Sequence, residues 1–219
     1  MRTFFVFLLP ALFTLTVKGQ QFRTYDLAAL AGQQKLEVFN RTVSSFSEGG
    51  QTGIRFSEAP LDGIAWLTGE SFSDGIIEVD IKGRDMLQRS FTGIAFHGKD
   101  DQHYDAVYFR PFNFRAADSI RRIHAVQYIS HPIYTWKLLR DSLNGQFEKA
   151  VIPPPEASGW FHVRIEIRYP DVKVFVNGSS TPSLQVKQFS NRRSGKIGLW
   201  VGDNSDGYFS NLRIQRAGT

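Results

Sequence analysis

The sequence contains no cysteine among its 219 residues. This absence excludes a disulfide-stapled scaffold, a cysteine-based zinc module and a cysteine nucleophile. Several catalytic motifs are also missing, namely His-Glu-x-x-His, Gly-x-Ser-x-Gly and the glycine loops that bind phosphates or dinucleotides. Charged residues make up only 21% of the chain and hydrophobic residues 42%, which excludes a disordered chain and predicts a buried core.

The longest apolar run lies at the N-terminus and predicts a signal peptide. A short basic start with Arg2 is followed by apolar residues up to Val17, and the small residues Val17 and Gly19 stand at positions −3 and −1 of a cleavage site. We therefore expect residues 1–19 to be removed on export from a bacterial cell. Residues 20–219 then form one secreted or periplasmic domain without a membrane anchor, and its formal charge falls from +5 to +3.

What remains is dominated by short runs rich in Val, Ile, Phe and Tyr, separated by Gly, Asp, Asn, Pro or Ser. In the run 162–169, Val163, Ile165 and Ile167 alternate with charged residues, as in a half-buried strand. Helical periodicity is weak and confined to 22–33 and 134–143. The pattern predicts an all-β sandwich or barrel. The predicted strands are 35–39, 53–57, 63–67, 75–82, 92–97, 104–110, 124–129, 162–169, 171–176, 184–189, 196–201 and 208–215.

Four segments in order resemble the concanavalin A-like lectin/glucanase sandwiches in their laminin-G-like, bacterial exported form. The resemblance extends more distantly to the 3-keto-disaccharide hydrolase domains. It implies a jelly-roll sandwich of two antiparallel sheets with about 12–14 strands and little helix. Because this fold carries lectins, carbohydrate-binding modules, glycosidases and adhesion domains, it leaves the function open. The segments are Phe72-Ser-Asp-Gly-Ile-Ile-Glu-Val-Asp-Ile-Lys82, Gly93-Ile-Ala-Phe-His97 with Tyr104-Asp-Ala-Val-Tyr-Phe-Arg110, residues 159–178, and residues 195–214.

Strand alternation in 92–97, 104–110 and 124–129 predicts a ligand groove. Small residues such as Ala95 and Ala106 are expected to share an outward face with polar ones, so that a hollow carries hydrogen-bonding groups and aromatic rings. The loops that follow add further polar and aromatic side chains. The residues predicted to bind a sugar are His97, Tyr104, Tyr108, Arg110, Asn113, Arg115, Gln127, His131 and Trp136.

The stretch 110–140 is strongly basic. Six Arg and Lys residues oppose Asp118 alone. A local positive field favours an anionic glycan, because Arg binds carboxylates and sulfates through two hydrogen bonds. The alternative explanation is an ordinary solvated basic loop. Nucleic acid is not expected as a partner, since the chain is predicted to be exported and has no recognisable nucleic-acid motif.

Catalytic and metal-binding residues are only weakly indicated. His97, His124 or His131 beside Asp105 would supply a general base and an acid, while no spacing brings a His to a carboxylate. In the strand Glu78-Val79-Asp80, the third carboxylate of the related glucanase pattern is replaced by Lys82. Oxygen donors at Asp203 and Asp206 are candidates for a structural calcium ion; no other cofactor is expected.

Three functional hypotheses follow. The first is an exported glycan-binding domain with its ligand in the predicted groove. The second is a glycan hydrolase or lyase of the same fold. The third is a structural or adhesion domain, in which the segment 111–140 fills the groove. The sugar and the oligomeric state stay open.

Overall fold

The computed structural model describes residues 21–218, so the predicted signal peptide lies outside the described residues. The described chain forms two antiparallel β-sheets, with 46% strand and 10% helix. The expected all-β sandwich of two antiparallel sheets with little helix is thereby confirmed. No helix within residues 21–218 is both long enough and apolar enough to cross a membrane.

The first sheet has eight strands in the order β13-β12-β11-β6-β15-β4-β3, with β1 paired to β15. At its centre β6 pairs with β11 in the register that places Val79 opposite Val163. The strands are β1 Arg23–Thr24, β3 Val43–Glu48, β4 Gln51–Phe56, β6 Gly75–Lys82, β11 Trp160–Arg168, β12 Asp171–Val176, β13 Leu184–Lys187 and β15 Gly207–Arg216.

The second sheet has seven strands in the order β10-β9-β8-β7-β14-β5-β2. It contains all three strands for which the sequence predicted a groove. The strands are β2 Leu36–Phe39, β5 Gly63–Phe72, β7 Thr92–Gly98, β8 Asp105–Phe109, β9 Val126–Ser130, β10 Glu148–Lys149 and β14 Gly195–Val201.

Helix is confined to three short α-helices and one 3-10 turn within the described residues, and each α-helix starts at a polar cap. Asp26 accepts a hydrogen bond from the amide of Ala29 at 2.9 Å, and Thr135 accepts one from Leu138 at 3.4 Å. The helices are α1 Leu27–Gly32, α2 Ser119–Arg122 and α3 Trp136–Ser142, and the turn is Pro111–Asn113.

The main core lies between the sheets and consists of the inward side chains of both. Phe109, Phe114 and Phe161 form one aromatic group, with ring centroids 5.1–6.5 Å apart. Each fully buried ring contributes on the order of 2–3 kcal/mol by leaving water. A sandwich of this size therefore needs no disulfide to stay folded.

All twelve predicted strands are present. The structure adds the two-residue strands β1 and β10, and the edge strand β3, which the sequence analysis missed. Strand β3 has the sequence Val-Ser-Ser-Phe-Ser-Glu, in which serine hides the alternation. Its single neighbour is β4, so its pairing rather than its own residues defines it as a strand.

Candidate functional site

The outer face of the seven-stranded sheet carries an aromatic layer of its own. The rings of Trp66, Tyr104, Tyr108 and Trp200 form a second buried cluster, separate from the core between the sheets. Ala95 and Ala106 belong to the same cluster, so the small outward residues do create space, and large rings from neighbouring strands occupy it. Each of the four rings is at most 3% exposed.

The layer reaches solvent beside a group of polar residues that we call the Asp62 cluster: Asp62, Tyr104, His131 and Trp200. The hydroxyl of Tyr104 donates to Oδ2 of Asp62 at 2.9 Å, and the indole N–H of Trp200 donates to that hydroxyl at 3.2 Å. The ring of His131 stacks on Tyr104 with centroids 4.9 Å apart. Its Nε2 lies 3.9 Å from Oδ2 of Asp62, and the two side chains are 22% and 30% exposed.

Burial sets the protonation of this cluster. It raises the pKa of Asp62 above the ordinary 3.8, although His131 and Tyr104 partly oppose the shift. It lowers the pKa of His131 below 6.5, against the attraction of Asp62. Burial also raises the pKa of Tyr104, and the negative charge of Asp62 raises it further. The phenol of Tyr104 therefore keeps its proton and remains a hydrogen-bond donor. The cluster thus pairs a neutral imidazole with a carboxyl group that holds its proton more strongly than usual.

Asp62 is positioned by its backbone. Asn40 has a φ of 52°, and its side-chain amide donates to the carbonyl oxygens of Pro60 and Asp62 at 2.8 and 2.9 Å. The guanidinium of Arg41 donates to the carbonyl oxygens of Leu61 at 2.5 Å and Gly202 at 2.9 Å. These bonds fix the loop that leads into β5, and with it the direction of the carboxylate.

A second polar group lies on the same face toward β9 and β10, and its central residues are buried. Arg110 donates to the hydroxyl of Tyr108, and to Oε1 of Gln127 at 2.5 Å. The Tyr108 hydroxyl also donates to Gln127 at 2.7 Å, and burial raises the pKa of Tyr108 to about 12. Glu148 lies 3.5 Å from Arg110 and 2.7 Å from Arg140. We call these residues the Glu148 network.

The segment around α3 covers this enclosed half. Leu139 is 2% exposed and belongs to the aromatic layer. The carbonyl of Trp136 accepts from Gln127 Nε2 at 3.4 Å, and the ring of Tyr134 stacks on Phe189 at 4.0 Å. The half near β9 is therefore filled by the protein, as the third hypothesis expected, while the Asp62 cluster stays accessible.

Comparison with known proteins identifies the family. The model of the 3-keto-alpha-glucoside-1,2-lyase-like domain matches residues 37–215. The chain belongs to this lyase-like family. No protein with a curated description matches the chain in sequence.

Solved structures show the same fold. The carbohydrate-binding module CBM66 from Bacillus subtilis has a TM-score of 0.60 at 18% identity, over 83% of this chain and 95% of the module. The β-glucanase of Bacillus licheniformis has a TM-score of 0.52 at 13% identity, over 92% of this chain and 100% of the enzyme. The exoplasmic/lumenal domain of VIP36, bound to Ca²⁺ and Man3GlcNAc, has a TM-score of 0.54 at 8% identity, over 85% and 86% of the two chains. At these identities the likeness concerns the fold alone.

His97 does not line a groove in this lyase-like domain, so its predicted outward orientation is wrong. Its ring packs on Phe72 and Phe96 of the main core, and the residue is 0% exposed. Nε2 lies 2.7 Å from the carbonyl of Ser73, and Nδ1 accepts from Gln188 at 3.0 Å. The cause is a bulge: the pairing of β7 with β14 shifts here, and His97 has a φ of 49°, which breaks the alternation.

The other predicted acid–base residues are also apart from one another. Asp105 is 0% exposed and accepts from Tyr128 at 2.5 Å, Ser190 at 2.6 Å and Arg192 at 3.0 Å. These bonds join β8 to β9 and to the segment after β13. His124 lies in the Glu148 network, with Nδ1 2.8 Å from Glu148. Of the candidate histidines, His131 is the one beside a partly exposed carboxylate.

The basic stretch 110–140 is less positive than its sequence suggests, because carboxylates outside the stretch pair with four of its six basic residues. The ion pairs are Arg115 with Glu156, Lys137 with Asp141 at 2.5 Å, and Arg140 with Glu148 at 2.7 Å. Arg121 and Arg122 donate to backbone carbonyls at 2.7–3.0 Å. Asn113 is 5% exposed and accepts from Arg121 at 3.2 Å. Trp136 is 47% exposed beneath the Arg140 guanidinium.

The calcium candidates have other partners. Asp203 accepts from the amide of Leu61 at 2.7 Å, which helps to position the Asp62 loop. Asp206 forms ion pairs with Arg84 at 2.7 Å and Arg55 at 3.5 Å. Within residues 21–218, no group of three or more His, Asp or Glu side chains is arranged to hold a metal ion.

Sequence reasoning missed Asp62, Trp66 and Trp200 as residues of this face. Strand alternation would have placed two of the three, Asp62 and Trp66, on the outer face. Asp62, Ile64 and Trp66 stand at every second position and point to one face, whereas Ala65 and Leu67 point to the other. The indole N–H of Trp66 donates to Asp101 at 2.7 Å, so the rim of the site has two carboxylates.

Proposed function

We propose that this domain binds a saccharide at the Asp62 cluster. The observation that carries the proposal is a partly exposed carboxylate held against an imidazole, a phenol and an indole on the outer sheet face. Carboxylates and imidazoles accept or donate hydrogen bonds to sugar hydroxyls, and Asp62 and His131 are the side chains of the cluster that reach solvent. The lyase-like family and the sugar-related neighbours CBM66 and VIP36 support a carbohydrate as the ligand.

Because most basic residues of the stretch 110–140 are paired with carboxylates, a neutral sugar is a better candidate ligand than the anionic glycan expected from the sequence. The accessible cluster holds the acidic Asp62, and its histidine is held neutral. Arg110 and Arg140, on the enclosed half of this face, are bound to Glu148. An added carboxylate or sulfate would meet repulsion from Asp62, and the guanidinium of Arg41 beside it is already engaged by backbone carbonyls.

Binding is tested by calorimetric titration of the exported chain with neutral and uronate-containing disaccharides. Asp62→Asn should weaken binding of the neutral sugar about tenfold, because a charged acceptor is lost. Asp171→Asn is the matched control, since Asp171 is a half-exposed carboxylate on the opposite sheet, paired with Lys187 at 3.4 Å. Equal affinity of both variants for the sugar would refute the site.

A second candidate function is elimination from a 3-keto-α-glucoside. The observation that favours it is that His131 and Asp62 lie side by side. A ketone at C3 acidifies the hydrogen on C2. A base that removes this hydrogen leaves its electron pair to form the C1–C2 double bond, while the departing glycosidic oxygen takes a proton from an acid. His131, with its lowered pKa, is neutral and suited to be the base, and Asp62, with its raised pKa, is suited to hold the proton.

Mass spectrometry of a 3-keto-α-glucoside incubated with the protein separates the two functions. Cleavage by the wild type and its loss in His131→Gln, with sugar binding retained, supports the lyase. Binding without cleavage leaves the domain a carbohydrate-binding module. Export is part of the proposal as well, and sequencing the N-terminus of the protein from a bacterial culture medium or periplasm tests cleavage after residue 19.

A further inference from the structure

The outer face of the eight-stranded sheet holds a cavity that the Asp62 cluster does not use. Its volume is about 390 Å³, within the range of small-molecule sites, which is about 300–1,000 Å³. It lies between β6, β11 and β12, on the opposite side of the sandwich from the aromatic layer. The cavity is lined by Glu78, His162, Arg164, Phe175, Gly178, Ser179 and Ser180.

His162 presents a hydrogen-bonding atom to this cavity. Its Nδ1 lies 2.7 Å from Oδ1 of Asp80, whose other oxygen accepts from Asn211 at 2.7 Å. Because Asp80 accepts only, Nδ1 carries the proton and the ring is oriented by its neighbour. The Nε2 atom is 3.9 Å from Glu78, too far for a hydrogen bond. With Nδ1 bound to Asp80, Nε2 is the ring atom left for a hydrogen bond with a ligand hydroxyl.

Arg164 follows His162 by two residues on β11 and therefore lines the cavity from the same strand face. Its guanidinium lies 4.3 Å from the ring centroid of Phe175 and donates through Nη1 to Glu166 at 2.8 Å. A guanidinium has five N–H donors, so one ion pair leaves donors for a ligand. Glu78 is 6% exposed and is paired with Arg213.

An aromatic surface adjoins the cavity along β11. Trp160 precedes His162 by two residues and therefore projects from the same face of the strand. The ring of Phe46 lies 5.8 Å from Trp160 at 24° and 5.3 Å from Tyr208. All three rings are half-buried. They provide ring surface beside a pocket of donors and acceptors, a combination that suits a pyranose and its hydroxyls.

The charges around the cavity cancel, which decides the kind of ligand. Glu78 opposes Arg213 and Arg164 opposes Glu166, so an anionic ligand gains little. We propose that this cavity is a second saccharide-binding site, which takes one unit of a neutral oligosaccharide between His162 and Arg164 and stacks the next on Trp160. The proposal is independent of the Asp62 cluster.

Fluorine NMR of the full exported chain, labelled with 5-fluorotryptophan, tests the proposal. The four tryptophans give separate probes, since Trp160 lies beside the cavity and Trp66 and Trp200 lie on the other sheet. Maltotriose, sucrose and trehalose are the neutral probes, and trigalacturonate is the anionic comparison. We expect a neutral sugar to shift the Trp160 resonance saturably, and Asp62→Asn to leave that shift unchanged.

His162→Gln and Arg164→Gln should each raise the dissociation constant measured at Trp160 about fivefold or more, through the loss of a hydrogen bond. Unshifted Trp66 and Trp200 resonances in these variants show that the fold is intact. The proposal is overturned if no neutral sugar shifts Trp160 at millimolar concentration, or if only trigalacturonate does. It is equally overturned if both variants keep the wild-type affinity, or if Asp62→Asn abolishes the Trp160 shift.

Discussion

Replacing Glu148 by Gln tests whether the enclosed Glu148 network depends on one carboxylate. Glu148 is 1% exposed and Arg110 is 4% exposed, so the substitution leaves a buried guanidinium without its counter-charge. Removing one partner of a buried ion pair costs about 3–5 kcal/mol. We expect the lower limit, about 3 kcal/mol, because Arg110 keeps its bonds to Tyr108, Gln127 and the His124 carbonyl.

Urea denaturation followed by circular dichroism measures this loss directly. In a domain of this length it corresponds to a fall in Tm of about 6–12 °C. Arg140→Gln is the companion variant: Arg140 is 28% exposed, and its loss should cost less, about 1.5 kcal/mol. If Glu148→Gln lowers the free energy of unfolding by less than about 1 kcal/mol, Arg110 does not need the carboxylate and the reasoning is refuted.

The stability difference between wild type and Glu148→Gln should also depend on pH. Burial alone would raise the pKa of Glu148, but the hydrogen bonds and charge of Arg140, with the charge of Arg110, outweigh burial and hold it below the ordinary 4.5. Since the pKa is lower in the folded state, the stabilisation is present above pH 4.5 and is lost as the pH falls through the folded value. The stability difference between wild type and Glu148→Gln should close over that acid range.

Two further predictions concern Asp62 and Gly53. Asp62 has a raised pKa in the folded state, so its ionisation lowers the free energy of unfolding at pH values above that pKa. Asp62→Asn should therefore be more stable than wild type at pH 7, and the difference should vanish below pH 3.8. A wild type that is more stable than the variant at pH 7 would contradict the raised pKa. At Gly53 a Cβ atom would overlap the carbonyl oxygen of Phe209 in the neighbouring strand. Gly53→Ala should therefore destabilise by about 3 kcal/mol in thermal denaturation, whereas Gly32→Ala, with nothing within 4 Å, should not.

The fold was largely predictable because strand periodicity is a local property. Alternation correctly placed Tyr104, Tyr108 and Arg110 on one sheet face, and all twelve predicted strands exist. It failed at His97, where a bulge inserts an extra residue into β7 opposite β14. A bulge depends on the pairing with the partner strand, so the residues of β7 alone do not predict it.

The site was less predictable, since it depends on contacts between distant segments. Asp62 meets Tyr104 and His131 only through the pairing of β5, β14, β7 and β8. The positive charge expected from 110–140 is reduced because Glu148 and Glu156, which lie outside that stretch in the sequence, pair with three of its arginines. Net charge in a sequence window does not state which side chains are paired.

The ring of Phe46 has a mechanical consequence for the sheet edge. Strand β3 is an edge strand, yet its Phe46 touches Trp160 on β11, with three strands between them. The β3–β4 hairpin is thereby fastened to the middle of the sheet as well as to its neighbour. Opening this edge must break an aromatic contact at the sheet centre, so the amide hydrogens of β3 should exchange with solvent more slowly than those of an ordinary edge strand. A sugar resting on Trp160 would slow that exchange further.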